Sequence, residues 1–148
     1  MKIFILILFI LSIIFSCSSA RSECVVTYVY DGDTIKCLCN GNTEKIIRLT
    51  GIDAPEENEP YYDQSKKYLI DLVLFKEIKI IEHGKGKYGR ILGEIYVQKL
   101  FPREINALML TSGMAKAYRG RTPWTTRRGE YFKFEKTAKE LKRGIWKQ

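Results

Sequence analysis

β-Branched and aromatic residues crowd the run "CVVTYVY" from Cys24 to Tyr30; "DGDT" then interrupts before "IKCLC" resumes the same character. Runs of this kind read as strands, and Asp-Gly between two of them predicts a hairpin turning at Asp31 and Gly32. "NGNT" supplies a second turn and "EKIIRLTGI" a third strand ending near Gly51, so the chain opens as a three-stranded meander. From Tyr62 to Phe75, the residues Tyr68, Leu69, Leu72, Val73 and Phe75 recur near helical spacing and leave Lys66, Lys67 and Asp71 for solvent, which predicts a helix. "EIKIIE" and "RILGEIYV" predict two further strands joined by a glycine- and lysine-rich loop, "HGKGKYG", in which His83 is expected to be an ordinary exposed residue. "PREINALMLTSG" places proline at a helix start and glycine past its end, with Ile105, Leu108 and Met109 on one face. A last helix is expected over roughly 129–143, ahead of "GIW".

Five short strands, a helix after the third and more helix at the C-terminus fit an α+β domain built on a five-stranded OB-type Greek-key β-barrel with about three helices. There is no internal repeat and no low-complexity linker. At 148 residues, 45% hydrophobic and 28% charged, the chain has room for one domain with a modest core. The first twenty residues hold one Lys and no acid, so 24 basic against 17 acidic residues remain beyond them, a net charge of +7. That charge suits a polyanion, either nucleic acid or an anionic membrane surface.

"MKIFILILFILSIIFSCSSA" has a basic start, an apolar run from Ile3 to Phe15 and then small residues, the layout of a secretory signal over 1–20 ahead of a domain over 21–148. Two cuts are open: before Cys17, which leaves a lipidated N-terminus attached to a membrane, or before Arg21. An uncleaved anchor is the third version, and all three place the domain outside the cytoplasm. Cys24, Cys37 and Cys39 follow. If a tight hairpin turns at Asp31 and Gly32, position 24 lies opposite 39, and Cys24 with Cys39 is the cross-strand disulfide candidate, although bridging neighbouring strands demands unusual geometry. Four-ligand zinc is rejected, because His83 is the only histidine.

Asp33 follows a hairpin turn, Asp53 and Glu56 flank "AP" just after a strand, and Arg48 and Arg90 belong to two strand ends. A curled barrel can gather such ends at one rim. Carboxylates there form a hard oxygen site of the kind Ca²⁺ accepts, and two guanidiniums beside it can each grip two phosphate oxygens. A cation and arginines offset the charge that builds on phosphorus, while a spare carboxylate handles water. Each motif alone is ordinary: "DGDT" is a turn, "DAPE" a turn with a cap, "GKGKYGR" a solvated loop.

Together, "YVYDGDTIK", "IRLTGIDAPE", "KYGR", "NALMLTSGMAKAY" and "GIW" resemble the staphylococcal nuclease family, over about 25–146 and in family order. The resemblance implies a Ca²⁺-dependent, sequence-tolerant endonuclease that hydrolyses DNA and RNA to 3′-phosphate products. It implies Asp33 and Asp53 as metal carboxylates, with the backbone carbonyl of Ala54, where the family carries threonine. Asp31 is expected to stand behind these ligands. Glu56 resembles the residue that positions or activates water, Arg48 and Arg90 those that stabilise the transition state, and Lys87, Tyr88 and Tyr118 those that bind substrate beside the terminal phosphate and base. The loop from Glu57 to Asp63 departs from the family by being short and acidic. Arg119, Arg121, Arg127 and Arg128, interleaved with Trp124 and Tyr131, suit either a polyanion track or a solvated basic loop. A monomer without a protein partner is expected. The competing readings are a binding module that keeps the barrel without the chemistry, and a surface lipoprotein serving adhesion.

Overall fold

The structure is a computed structural model and describes residues 24–97, 100–120 and 127–147. The signal segment, Cys17, Arg121 and Trp124 lie outside the described residues. Strands β1 (Cys24–Val29), β2 (Thr34–Cys39), β3 (Thr43–Leu49), β5 (Glu77–Lys85) and β6 (Ile91–Val97) form the barrel. They run in the order β3-β2-β1-β5-β6, and a parallel pairing of β3 with β6 closes the sheet. This is the expected α+β, OB-type architecture. The two-residue strands β4 (Ile52–Asp53), β7 (Arg103–Glu104) and β8 (Lys116–Ala117) are added to it, with β4 paired to β8. Helices α1 (Tyr62–Val73), α2 (Ile105–Thr111) and α3 (Arg128–Glu140) complete the described chain.

Alternating inward positions supply the core: Val26, Ile35, Ile47, Leu49 and Ile95 from the barrel, closed by Leu69, Val73, Met109 and Leu110 from the helices, are all fully buried. Asn106 is buried among them and saturated. It accepts from the N–H of Ile95 and donates to the carbonyls of Thr50 and Gly93, at 3.1, 2.9 and 3.3 Å. This pins α2 to the seam where β3 meets β6, since Thr50 N–H also donates to Gly93. Gly113 and Gly144 pack backbone to backbone. A Cβ at Gly113 would lie 2.2 Å from the Arg143 carbonyl oxygen, and both glycines have φ above +50°, so the "TSG" and "GIW" motifs are two halves of one joint.

Several expectations need correction. The β1–β2 connection is longer than a two-residue turn, because Val29 pairs with Ile35 and Tyr30 N–H donates to the Thr34 carbonyl. A bulge between Val26 and Tyr28 removes the extra residue, so Cys24 still faces Cys39, and the two are joined in a disulfide. Cys37 remains a buried free thiol. Phe75 is not part of the α1 face. The helix ends at Val73, the Phe75 N–H is drawn to the Val26 carbonyl, and its side chain is 75% exposed. Strand β5 continues through the expected loop to Lys85, so His83 is a partly buried strand residue whose Nε2 lies 3.4 Å from Glu94 Oε1. Pro102 precedes β7 instead of starting α2, which begins at Ile105.

Candidate active site

The "DGDT" turn is pressed against the segment that follows β3. A Cβ on Gly32 would lie 2.0 Å from Ser65 Oγ and 2.7 Å from Ala54 Cβ, so only glycine allows this approach. Asp33 is thereby delivered to Ala54, whose N–H donates to Asp33 Oδ2 at 3.0 Å. Thr34 Oγ1 donates to Asp33 Oδ1, and the Asp33 N–H is held by Asp31 Oδ1 at 2.9 Å. Asp31 thus orients the Asp33 backbone without touching the cleft. Burial lifts the Asp33 carboxyl to about 7, against the opposing charge of Arg48, with Asp31 adding to the rise.

Arg48 pairs with Thr34 across β2 and β3 and reaches over the rim. Its Nη1 donates to the carbonyls of Leu49 and Ile52, at 2.8 and 3.0 Å. Its Nη2 lies 3.0 Å from Asp33 Oδ2 and 3.2 Å from Asp53 Oδ1. The two acids therefore face one point and share one cation. Asp53 is exposed at the end of β4, where it pairs with Lys116. Glu56 follows the buried Ala54–Pro55 step and is exposed; its N–H donates to Glu59 Oε2. It does not join Asp33 and Asp53 in a tight three-carboxylate cluster. Among the described residues the one group of three acidic, histidine or cysteine ligand atoms within 4.8 Å is formed by the sulfurs of Cys24, Cys37 and Cys39, two of which are spent in the disulfide.

Beside the acids opens a cleft of about 340 Å³, walled by Arg48, Lys87, Arg90, Leu92 and Tyr118 and floored by the 49–52 backbone. Arg90 is brought there by the loop between β5 and β6, which closes through Gly86 N–H to the Arg90 carbonyl at 2.8 Å. Tyr118 is positioned by its N–H donating to the Gly51 carbonyl at 2.9 Å. Tyr88 stands apart from this wall. It is 93% exposed at φ 59°, with the Arg90 guanidinium 5.9 Å from its ring centroid. Two guanidiniums facing a cleft beside a paired-acid rim can hold a phosphodiester and a hard cation side by side.

Of the basic stretch after Tyr118, Arg121 and Trp124 lie outside the described residues, and two of the described arginines are held by acids. Arg119 is bound to buried Glu135, Arg127 to Glu104 and Glu130, and Tyr131 is buried with its hydroxyl donating to Glu104 at 2.5 Å. Arg128 is exposed against the Phe132 ring. Glu135 and Glu104 lie 16 and 23 residues along the chain from the arginines they engage, so a local reading of charge missed them. Gly32, Thr34 and Asn106 were missed too; the "DGDT" glycine was readable only as turn chemistry.

The fold and this site define an OB-barrel domain with an acid-and-arginine rim beside a phosphate-sized cleft. The family model described as "Staphylococcal nuclease homologue" matches residues 46–148. The chain is 40% identical over 113 residues to an "Uncharacterized endonuclease" of Haemophilus influenzae, covering 76% of this chain and 62% of that protein. It is 35% identical over 127 residues to a "Micrococcal nuclease" of Shigella flexneri, covering 82% and 71%, and 32% identical to "Protein ParB" of Escherichia coli, covering 82% and 70%. The chain belongs to the staphylococcal nuclease homologue family, whose members are nucleases, that is, phosphodiester hydrolases.

Proposed function

We propose that this chain is an exported, Ca²⁺-dependent endonuclease with little sequence preference, hydrolysing DNA and RNA to products that carry 3′-phosphates. The observation that carries the reading is the placement of Arg48 between Asp33 and Asp53, at the edge of a cleft it shares with Arg90 and Lys87. Asp33, Asp53 and the carbonyl of Ala54 fit a Ca²⁺ ion. They are hard oxygen donors, the two carboxylates already converge on one positive charge, and burial leaves Asp33 in need of a cation. Bound there, Ca²⁺ supplies Lewis-acid polarisation of a phosphate oxygen.

This chain's own residues perform the rest. Arg48 and Arg90 grip the scissile phosphate from two walls and stabilise the charge that grows as water attacks. Glu56, exposed three residues beyond Asp53, orients that water and takes its proton, while the bond from phosphorus to the 5′ oxygen breaks and the leaving oxygen takes a proton from solvent. Lys87 meets a neighbouring phosphate, while Tyr118 and the outlying Tyr88 offer ring faces on which any base can stack, which suits sequence tolerance. Asp31 holds the Asp33 backbone in position. The apolar run before Cys17 supports export, with the chain secreted or held to the membrane through lipidated Cys17.

The test is digestion of single-stranded DNA and of RNA with and without a chelator, followed by Ca²⁺ replacement. Cleavage is expected only when Ca²⁺ is present, with 3′-phosphate ends. Equal cleavage in both arms, or none in either, overturns the reading.

A further inference from the structure

We propose, resting on the nuclease reading for the class of substrate, that the outer face of β1 and β2 is a further stretch of the nucleic-acid path. Tyr28 and Tyr30, with Lys36 beside them, form a platform on which the bases of a single strand stack while one of its phosphates is held at Arg48. Strand register places the platform. Tyr28 faces Lys36 across β1 and β2, and Lys36 faces Ile46 across β2 and β3. Two residues further along β1, the Tyr30 N–H donates to the Thr34 carbonyl, and Thr34 faces Arg48. Facing residues of antiparallel strands point to the same side of the sheet, and the intervening Val29, Ile35 and Ile47 are buried in the core. Tyr28, Tyr30, Lys36, Ile46 and Arg48 therefore share the outer side.

Arg48 stands in the middle of this surface. On one side β3 pairs with β6, where Arg48 faces Leu92, a wall residue of the cleft that also holds Lys87, Arg90 and Tyr118. On the other side β2 and then β1 follow, which puts Tyr30 two ladders from Arg48, about 10 Å. A strand gripped at one phosphate by Arg48 and seated in the cleft on the β6 side leaves that grip across β2 toward β1. The occupant is thus the substrate itself, continued past the arginine.

Tyr28 and Tyr30 are 49% and 39% exposed, with ring centroids 5.0 Å apart and planes inclined at 75°. An edge-to-face pair leaves both faces of one ring and one face of the other clear of its neighbour, and an aromatic face stacks on any base. Exposed apolar residues scattered singly are ordinary; here two aromatic rings and the exposed Ile46 stand in adjoining positions. Lys36 lies between Tyr28 and Ile46, its ammonium 3.2 Å from Glu44. Both side chains of that pair are open to solvent, where such a contact is worth little, so a phosphate can take the place of Glu44. Asp31, next to Tyr30, is turned instead to the Asp33 N–H. Tyr28, Tyr30 and Lys36 have no part in the catalytic reading.

Binding of the full chain to an oligothymidylate of about 12 nucleotides, and to an abasic strand of the same length, is measured by fluorescence anisotropy with chelator present. Tyr28→Ala with Tyr30→Ala is expected to weaken oligothymidylate binding about tenfold or more and to leave abasic binding unchanged, which reports an intact fold. Tyr28→Phe with Tyr30→Phe is expected to bind as the parent does. Lys36→Gln is expected to flatten the dependence of log affinity on log salt by about 0.7. Unchanged oligothymidylate affinity of the alanine variant, an equal loss on both strands, an unaltered salt slope, or a parent that prefers neither strand overturns the proposal. Cleavage of the same oligothymidylate by the parent on adding excess Ca²⁺ is scored separately. A chain that binds through the tyrosines and does not cut refutes the nuclease reading alone; one that cuts and binds with the tyrosines dispensable refutes the platform alone.

Discussion

Arg48 and Asp33 are joined across the barrel rim at 3.0 Å, and the same guanidinium nitrogen reaches Asp53 at 3.2 Å. One side chain thereby contacts both acids and also donates to the carbonyls of Leu49 and Ile52. A planar fork with several donors can make all four contacts at once; a point charge cannot.

Arg48→Lys is therefore expected to lower kcat by roughly 10²-fold or more, because the bidentate grip on a phosphate is lost. Stability is expected to fall by about 1 to 3 kcal/mol, since the carbonyls of the buried residues Leu49 and Ile52 lose their donor. Initial rates on an oligonucleotide and a denaturant titration check both numbers. A lysine variant with unimpaired turnover removes Arg48 from the transition state.

Glu56 is exposed, and the bonds seen at that residue run through its backbone. Glu56→Gln should leave stability within about 0.5 kcal/mol of the parent and leave nucleic-acid binding intact. Turnover should drop by about 10²-fold or more on general-base magnitudes. Binding and rate measured on the same variant separate an enzyme from a barrel that only binds, for which no rate exists to lose.

Much of this was legible because the carriers are local. Hairpin turns announce themselves through Asp-Gly and Asn-Gly, and Asn40 and Gly41 do adopt positive φ, 50° and 77°. The opposition of Cys24 and Cys39 was read correctly through two offsetting errors, a longer turn and an unforeseen bulge. Where the outcome hung on partners distant in sequence, the reading failed. His83 joined a strand because Gly84 and Lys85 found Leu92 and Ile91 to pair with. Arg119 and Arg127 lost their freedom to Glu135 and Glu104, which no local charge pattern reveals. The expected site residues could be named from motif resemblance, but their convergence depends on Gly32 fitting against Ser65 and Ala54.

The disulfide closes a loop with a sequence separation of 15. Chain-entropy arguments assign such a link about 3 kcal/mol. Replacing Cys24 and Cys39 together by Ala is expected to cost about that much in a urea titration, and reducing the native protein should reproduce the loss. Cys37 is the internal control. Burial pushes its thiol up to about 11, so it should resist a thiol reagent in the folded protein at neutral pH and react on unfolding. Rapid labelling of the folded chain contradicts the buried, protonated thiol.

Glu135 couples acid stability to the architecture around the site. Its carboxylate is buried, which alone raises its pKa; hydrogen bonds from Arg119, Lys139 and the Ala117 N–H outweigh burial and bring it to about 2 from an ordinary 4.5. A folded pKa depressed below the unfolded one contributes stability that is present in full above pH 4.5 and is lost as pH falls toward 2. The contribution is on the order of 2 to 3 kcal/mol. Ala117 belongs to β8, which pairs with β4 and so supports Asp53. Protonating Glu135 should therefore loosen the strand pair that carries Asp53 as well as α3. Glu135→Gln is expected to be less stable at neutral pH and to flatten the stability profile between pH 4.5 and 2, because the titrating group is gone. Denaturant titrations of both proteins across that range decide the matter: parallel profiles for parent and variant mean that Glu135 is not the group whose protonation drives the acid transition.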